Sequence, residues 1–193
     1  MINFIDVPKL VINLEHRKDR RENISEVLKD YDYEIVEAIK TKLGCNLSHQ
    51  KCIKLAIERD YEMVCIMEDD FIFIKDEEII IPNKFDMFFV GGQIIDVYKD
   101  KINSYKITKV RRAECYIINK HYYHIFLNML EECWELLNKD PNNINYRFDM
   151  YWQTLVDNDN WRVNKIGNYG GQREGYSDIK NEFIKRTNKN YII

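Results

Sequence analysis

Apolar residues in this chain fall into short unbroken blocks, and segments of helical periodicity separate the first of them. Leu10–Leu14 (LVINL) is such a block and predicts a buried strand. Asp19–Tyr31 follows, with Ile24, Val27, Leu28 and Tyr31 at i, i+3, i+4 and i+7, the spacing of an amphipathic helix. Glu34–Ala38 predicts a second strand and Leu43–Asp60 a second helix, with Cys45, Ser48, His49, Cys52, Leu55, Ala56 and Arg59 on one face. Met63–Met67 (MVCIM) is apolar along its whole length, as a strand covered on both faces must be. It stops abruptly at Glu68-Asp69-Asp70.

The second half is less regular. Phe71–Ile74 resumes apolar character, and Phe85–Val90 predicts a strand stopped by Gly91-Gly92. Arg111–Ile118 predicts another strand, with Asn119 as the cap of a helix over 120–137. Pro141-Asn142-Asn143 signals a turn, Tyr146–Val156 a helix and Trp161–Ile166 a late strand. A polar loop over 167–175 and a basic, partly helical tail over 178–191 complete the reading. Strands alternating with helices predict an α/β fold with a mainly parallel sheet, and 193 residues without a linker or repeat predict one domain over 1–193.

Composition narrows the function. A formal charge of -3 without a basic stripe gives no nucleic-acid footprint. The apolar runs are too short to span a membrane, and the first ten residues lack the pattern of a secretory signal. Five cysteines, an odd number with no C-x-x-C pair, read as reduced thiols in a reducing, cytoplasmic compartment. The sequons at Asn23 and Asn46 fall in segments expected to be helical and read as chance matches.

The chemistry concentrates at Glu68-Asp69-Asp70. Three adjacent carboxylates after a buried strand repel one another and raise one another's pKa. A hard divalent cation, Mg²⁺ or Mn²⁺, relieves that repulsion. Ligands in open α/β sheets also bind at the carboxyl ends of the strands. If the strand continues, Glu68 and Asp70 face one side and Asp69 the other. An exposed acidic turn is the competing reading of the same triplet.

Around this cluster the chain resembles glycosyltransferase family 25, the family of lipooligosaccharide and collagen galactosyltransferases. Val11-Ile12-Asn13-Leu14 with Arg17, Asp19, Arg20 and Arg21 resembles the family's opening strand and helix. Glu37-Ala38-Ile39 is similar to its second strand, and Leu43–His49 (LGCNLSH) to its "GC-x-x-SH" block. Cys65–Asp70 (CIMEDD) matches "ILEDD". Arg147-Phe148-Asp149 and Gln172–Ile179 resemble later segments more loosely, and Phe85–Tyr146 matches weakly.

The resemblance implies a GT-A-type, Rossmann-like nucleotide-binding domain. It also implies an inverting transfer of galactose or glucose from a UDP-sugar, with Mn²⁺ (or Mg²⁺), to a glycan or glycoprotein acceptor. Asp70 is then the first metal ligand and Glu68 the second, or a ribose contact. Gln172 and Asp178 sit where GT-A enzymes supply a third ligand, commonly a His, and this chain has no His after His124. Arg17 and Arg20 suit phosphate oxygens, with a solvated helix face as the alternative. Asn13, Leu14 and Ala38 would line the uracil pocket. Ser48 and His49 are polar on a mostly apolar face and need partners, which a nucleotide or the core can supply. Lys51 suits an approach to phosphate, with solvent exposure as the alternative, and Asp69 is expected beside the nucleotide. Gly91 and Gly92 suit close approach of a sugar, or a tight turn. Asp149 is the candidate general base, since inversion needs a carboxylate by the acceptor hydroxyl. Trp152 and Tyr169 are candidates for stacking on a sugar or for the core. A nucleotide-sugar-binding or glycan-binding relative without catalysis is the second reading. A phosphoryl enzyme ranks last, because no Gly-rich phosphate loop is present.

Overall fold

The computed structural model describes residues 2–41, 43–100, 104–178 and 182–185. Its strands are β1 (Ile2–Asn3), β2 (Lys9–Asn13), β3 (Glu34–Glu37), β4 (Met63–Glu68), β5 (Phe71–Phe73), β6 (Ile80–Ile81), β7 (Met87–Tyr98), β8 (Ser104–Asn119), β9 (Trp161–Asn164), β10 (Gly170–Gln172), β11 (Gly175–Ser177) and β12 (Glu182–Ile184). The helices are α1 (Lys18–Val27), α2 (Gly44–Glu58), α3 (Tyr123–Lys139), α4 (Phe148–Tyr151) and α5 (Gln153–Val156), with short 3₁₀ turns between.

Eight strands form one sheet in the order β3-β2-β4-β8-β9-β7-β10-β5. The expected α/β class holds: β2 runs parallel to both β3 and β4, joined by the crossover helices α1 and α2. β8 then enters antiparallel to β4 and β7.

Strand alternation builds two cores. Val64 and Ile66 of β4 join Leu10, Ile12, Cys52, Ile53, Phe126 and Trp152 on the face covered by α2 and α3. Cys65 and Met67 join Val11, Ile24, Leu28, Phe88 and Ile117 on the face covered by α1. The unbroken apolar character of MVCIM follows from this double burial. Asn46 and Gln50, on the back of α2, are buried because their amides donate to the Leu130 carbonyl of α3. Among the described residues no helix is long and apolar enough to cross a membrane.

Several elements depart from expectation. Gly91-Gly92 does not stop β7, which continues to Tyr98 as a long hairpin with β8, with register shifts at 89–93. The partners across that arm, Ile94–Val110 and Val97–Ile107, supply enough apolar contact to extend both strands beyond their expected ends. Asn119 makes no side-chain cap, and its Oδ1 instead meets His121 Nδ1 at 2.8 Å. The helix expected over 146–156 is a 3₁₀ turn at 144–146 followed by α4 and α5, which meet at the buried Trp152. The loop expected over 167–175 contains β10, and the described part of the tail expected to be partly helical is a strand, β12, paired antiparallel with β11. The remainder of that tail lies outside the described residues.

Candidate active site

The register between strands assembles the site. Ile12 of β2 pairs with Glu68 of β4, so Asn13 and Asp69 are neighbours one step further on. Asn13 Nδ2 donates to Asp69 Oδ2 at 2.8 Å. On the other side Met67 pairs with Cys115, so the antiparallel ladder carries Glu68 toward Glu114.

Asp69 is held by the protein itself. Besides Asn13, Arg20 Nη1 donates to its Oδ1 at 2.8 Å. The same Nη1 lies 3.1 Å from Asp70 Oδ2, and Gln172 Nε2 donates to that oxygen at 2.7 Å. Asp70 Oδ1 is buried without a hydrogen-bond partner. Burial first, and the Glu68 charge second, raise the Asp70 carboxyl to about 7.

Glu114 is the residue that sequence reasoning missed. It is fully buried on β8, and neither carboxyl oxygen bonds another residue. Burial and then the Glu68 charge push it up to about 8. The nearest cation, Arg112 Nη1, stands 3.9 Å away. Its signal was present: a lone acid inside the apolar run Ala113–Ile118 (AECYII). Arg112 has φ of 61°, in the left-handed region, at the irregularity where β8 faces Gly92. A side chain on Gly92 would meet Phe89 at 2.9 Å and the Arg112 carbonyl at 3.2 Å, and one on Gly91 would meet Phe71 at 2.7 Å.

Asp149 opens α4 and accepts a backbone hydrogen bond from Arg112. Burial and then the Glu68 charge raise its carboxyl above the usual range. Glu68, Asp70, Glu114 and Asp149 therefore form one electrostatically coupled acidic group. Carboxylate oxygens, with a buried, partnerless Asp70 oxygen among them, are the donor type that a hard divalent cation prefers.

The other expected site residues lie around this group with contacts of their own. Asn13 accepts the Ala38 N–H through its backbone carbonyl at 2.9 Å. Leu14 follows directly, and its carbonyl accepts the Arg17 N–H. Arg17 pairs with Asp19 and Asp178, and both Arg17 and Arg20 donate to the Tyr176 carbonyl. Ser48 Oγ accepts from Ile39 N–H and donates to the Gly44 carbonyl, so the core satisfies it. Lys51 Nζ donates to the Glu37 carbonyl at 3.0 Å. Trp152 and Tyr169 are buried in the two cores. Cys45 and His49 face Glu68 from α2, with His49 Nε2 3.6 Å from Glu68 Oε1.

Comparison with known proteins supplies the chemical context. Residues 40–133 match the model of "Glycosyltransferase family 25 (LPS biosynthesis protein)". That segment contains the LGCNLSH and CIMEDD blocks, while the Val11–Arg21 and Gln172–Ile179 resemblances lie outside it. No curated protein sequence matches. The fold is similar to a glycosyltransferase involved in the glycosylation of the major capsid of PBCV-1, with TM-score 0.55 and 12% identity over 81% of this chain and 80% of that one. It is also similar to A197 from STIV, with TM-score 0.51 and 12% identity over 94% of each chain.

Proposed function

We propose, from the premise that this chain is a glycosyltransferase whose residues 40–133 belong to family 25, that it moves galactose or glucose from a UDP-sugar to a glycan or protein acceptor. The whole chain then works as one GT-A-type domain. The observation that carries the reading is the partnerless Asp70 oxygen inside a buried acidic group. Among the described residues none bonds that oxygen, although Arg20 and Gln172 hold the other oxygen of the same carboxylate, and a cation-bound diphosphate would complete its coordination.

Asp70 and Glu68 would hold Mn²⁺ or Mg²⁺, with Gln172 adjacent to Asp70 as the third contact. When bound, the cation supplies Lewis-acid stabilisation of the departing UDP. Asn13, Leu14 and Ala38 would line the uracil end, and Arg17 and Lys51 would reach the phosphates on leaving their present partners, Asp19 and Asp178 for Arg17 and the Glu37 carbonyl for Lys51. Arg20 acts indirectly, because its guanidinium is directed at Asp69 and Asp70. Gly91 and Gly92 let Phe71, Phe89 and the Arg112 backbone pack against β7, so their part at the sugar would be indirect.

Asp149 takes the acceptor hydroxyl proton as the oxygen attacks the anomeric carbon and the bond to UDP breaks, with inversion. Burial raises its carboxyl above the usual range, which makes it a stronger proton acceptor than a free aspartate. The five free cysteines support a reducing, cytoplasmic setting.

The test is UDP release from UDP-galactose and UDP-glucose with Mn²⁺. Asp70→Ala should lower turnover by about 100-fold or more, the scale of losing one electrostatic contact at the leaving group. Asp149→Asn should lower kcat while leaving UDP binding by calorimetry intact. Undiminished turnover in Asp70→Ala would sink the reading. UDP binding without transfer by the unaltered protein would identify a non-catalytic relative.

A further inference from the structure

Glu68 faces a second set of donors that the donor-sugar chemistry does not use. Cys45 and His49 stand four residues apart on α2, so both side chains leave the same face of the helix. Cys45 Sγ lies 4.0 Å from Glu68 Oε1, and His49 Nε2 lies 3.6 Å from the same oxygen. All three donor atoms fall within 4.8 Å of one another. A tetrahedral cation with bonds of about 2.0–2.3 Å holds its ligand atoms about 3.3–3.8 Å apart, so small side-chain movements close the set.

The imidazole supplies an independent indication. His49 is 1% exposed, and its Nε2 is buried with no hydrogen-bond partner while pointing toward the carboxylate. Its other nitrogen, Nδ1, is fixed at 2.8 Å from the Tyr116 hydroxyl. A proton on Nδ1 donated to Tyr116 leaves the Nε2 lone pair free to bind a cation. That is how outer partners orient metal-binding histidines.

We propose that Cys45, His49 and Glu68 form a second cation site, selective for a thiolate-accepting divalent ion of the Zn²⁺ type. One thiolate, one imidazole and one carboxylate make a borderline-soft donor set, which favours Zn²⁺ over Mg²⁺ or Mn²⁺. Binding breaks the S–H bond of Cys45, the sulfur pair goes to the cation and the proton leaves to solvent. A water completes four-coordination. Glu68 belongs to this set and also to the oxygen site at Asp70. Occupancy of the second site therefore withdraws Glu68 from the first, and Zn²⁺ inhibits the Mn²⁺-supported transfer. The inhibition rests on the proposed donor chemistry, whereas the binding does not.

The experiment uses the metal-free full chain with Co²⁺ as a spectroscopic probe. The expected result is a near-ultraviolet thiolate-to-cobalt band with the visible bands of tetrahedral Co²⁺, both displaced by Zn²⁺. Cys45→Ser should abolish the thiolate band, and Cys133→Ser should leave it unchanged. Zn²⁺ affinity, read against a chromogenic chelator, should fall by about 100-fold or more in Cys45→Ser and His49→Gln. It should fall by about 10-fold in Tyr116→Phe.

A wild-type spectrum without the thiolate band, or one that survives in Cys45→Ser, overturns the proposal. Should Cys45→Ser not fold, alkylation of the wild type decides. Zn²⁺ must protect Cys45 from iodoacetamide by peptide mapping, and equal labelling with and without Zn²⁺ overturns the site. Mn²⁺-dependent UDP release in Zn²⁺-free buffer reports separately on the donor chemistry.

Discussion

Asp69 and Glu114 flank Glu68 from opposite sides, and the protein treats them in opposite ways. Asp69 is clasped by Asn13 and by Arg20, so its charge is answered from within the fold. Glu114 is more deeply buried and bonds no other residue, with Arg112 3.9 Å away. Both carboxyls are raised by burial; Asp69 is pulled back by side-chain hydrogen bonds from Arg20 and Asn13, whereas Glu114 is opposed only by its own backbone N–H and the Arg112 charge 3.9 Å away. A buried charge with protein partners is part of the scaffold. One without them stores an unfavourable interaction that a bound cation or proton removes. The difference separates residues that hold the site from residues that face its ligand.

The largest expected effect tests the clasped side. Asp69→Ala leaves Arg20 and Asn13 without their main partner and should cost about 3 kcal/mol in urea unfolding, the low end for a broken buried pair because Arg20 keeps some water access. A cost well below ~1 kcal/mol would break the comparison, because Asp69 would then be no more structural than an exposed acid.

The next effect tests the unclasped side through pH. Glu114 has a folded pKa of about 8 against 4.5 for the free group, so the folded state binds more protons between those values. Stability of the metal-free protein is therefore greatest at low pH within that window and falls as pH rises through it. Asp70, raised to about 7, adds the same sign. Glu114→Gln should flatten this slope and make the metal-free protein about 1–3 kcal/mol more stable than the unaltered chain at pH 9. Thermal melts at pH 5.5 and 9 read it, and Mn²⁺ should narrow the difference in the unaltered protein. A melt that rises with pH in metal-free buffer would contradict the assignment.

The smallest effect sets the lower bound for charge pairs here. Arg17 bridges Asp19 and Asp178, carboxylates that face solvent where Asp69 does not, and hydrogen bonding to Arg17 lowers the Asp19 pKa to about 2. Solvent screening discounts that shift, so Arg17→Ala should change unfolding stability by less than about 1 kcal/mol. An Arg17 cost equal to that of Asp69 would show that burial is not what divides the two classes.

Much of the parallel half was legible because its interactions are local. Apolar blocks of strand length and the i, i+3, i+4 spacing of α1 follow from backbone geometry alone. Glu68, Asp69 and Asp70 could be read as a unit because they are consecutive. The reading that Asp69 turns away from its neighbours assumes that the strand continues; β4 instead ends at Glu68, and the turn that follows brings Asp69 and Asp70 to the same Arg20 nitrogen. The β7–β8 hairpin was not legible past Gly91, since its long arm depends on cross-strand pairs such as Ile94–Val110 rather than on either strand's own pattern. Asn119 looked like a cap by residue type, but its side chain went to His121.

The sequence by itself determined the α/β class, the strand that carries the acids and the chemical type of the cluster, because these depend on residues a few positions apart. Only the tertiary structure decided which acids face one another. Glu114 lies 46 positions from Glu68 and reaches it through the antiparallel register of β4 and β8. Asp149 arrives on a helical turn anchored to the Arg112 backbone. His49 turns its free nitrogen to Glu68 because Tyr116 holds the other. Electrostatic coupling acts through space, and the chain alone does not record which distant charges the fold brings within reach.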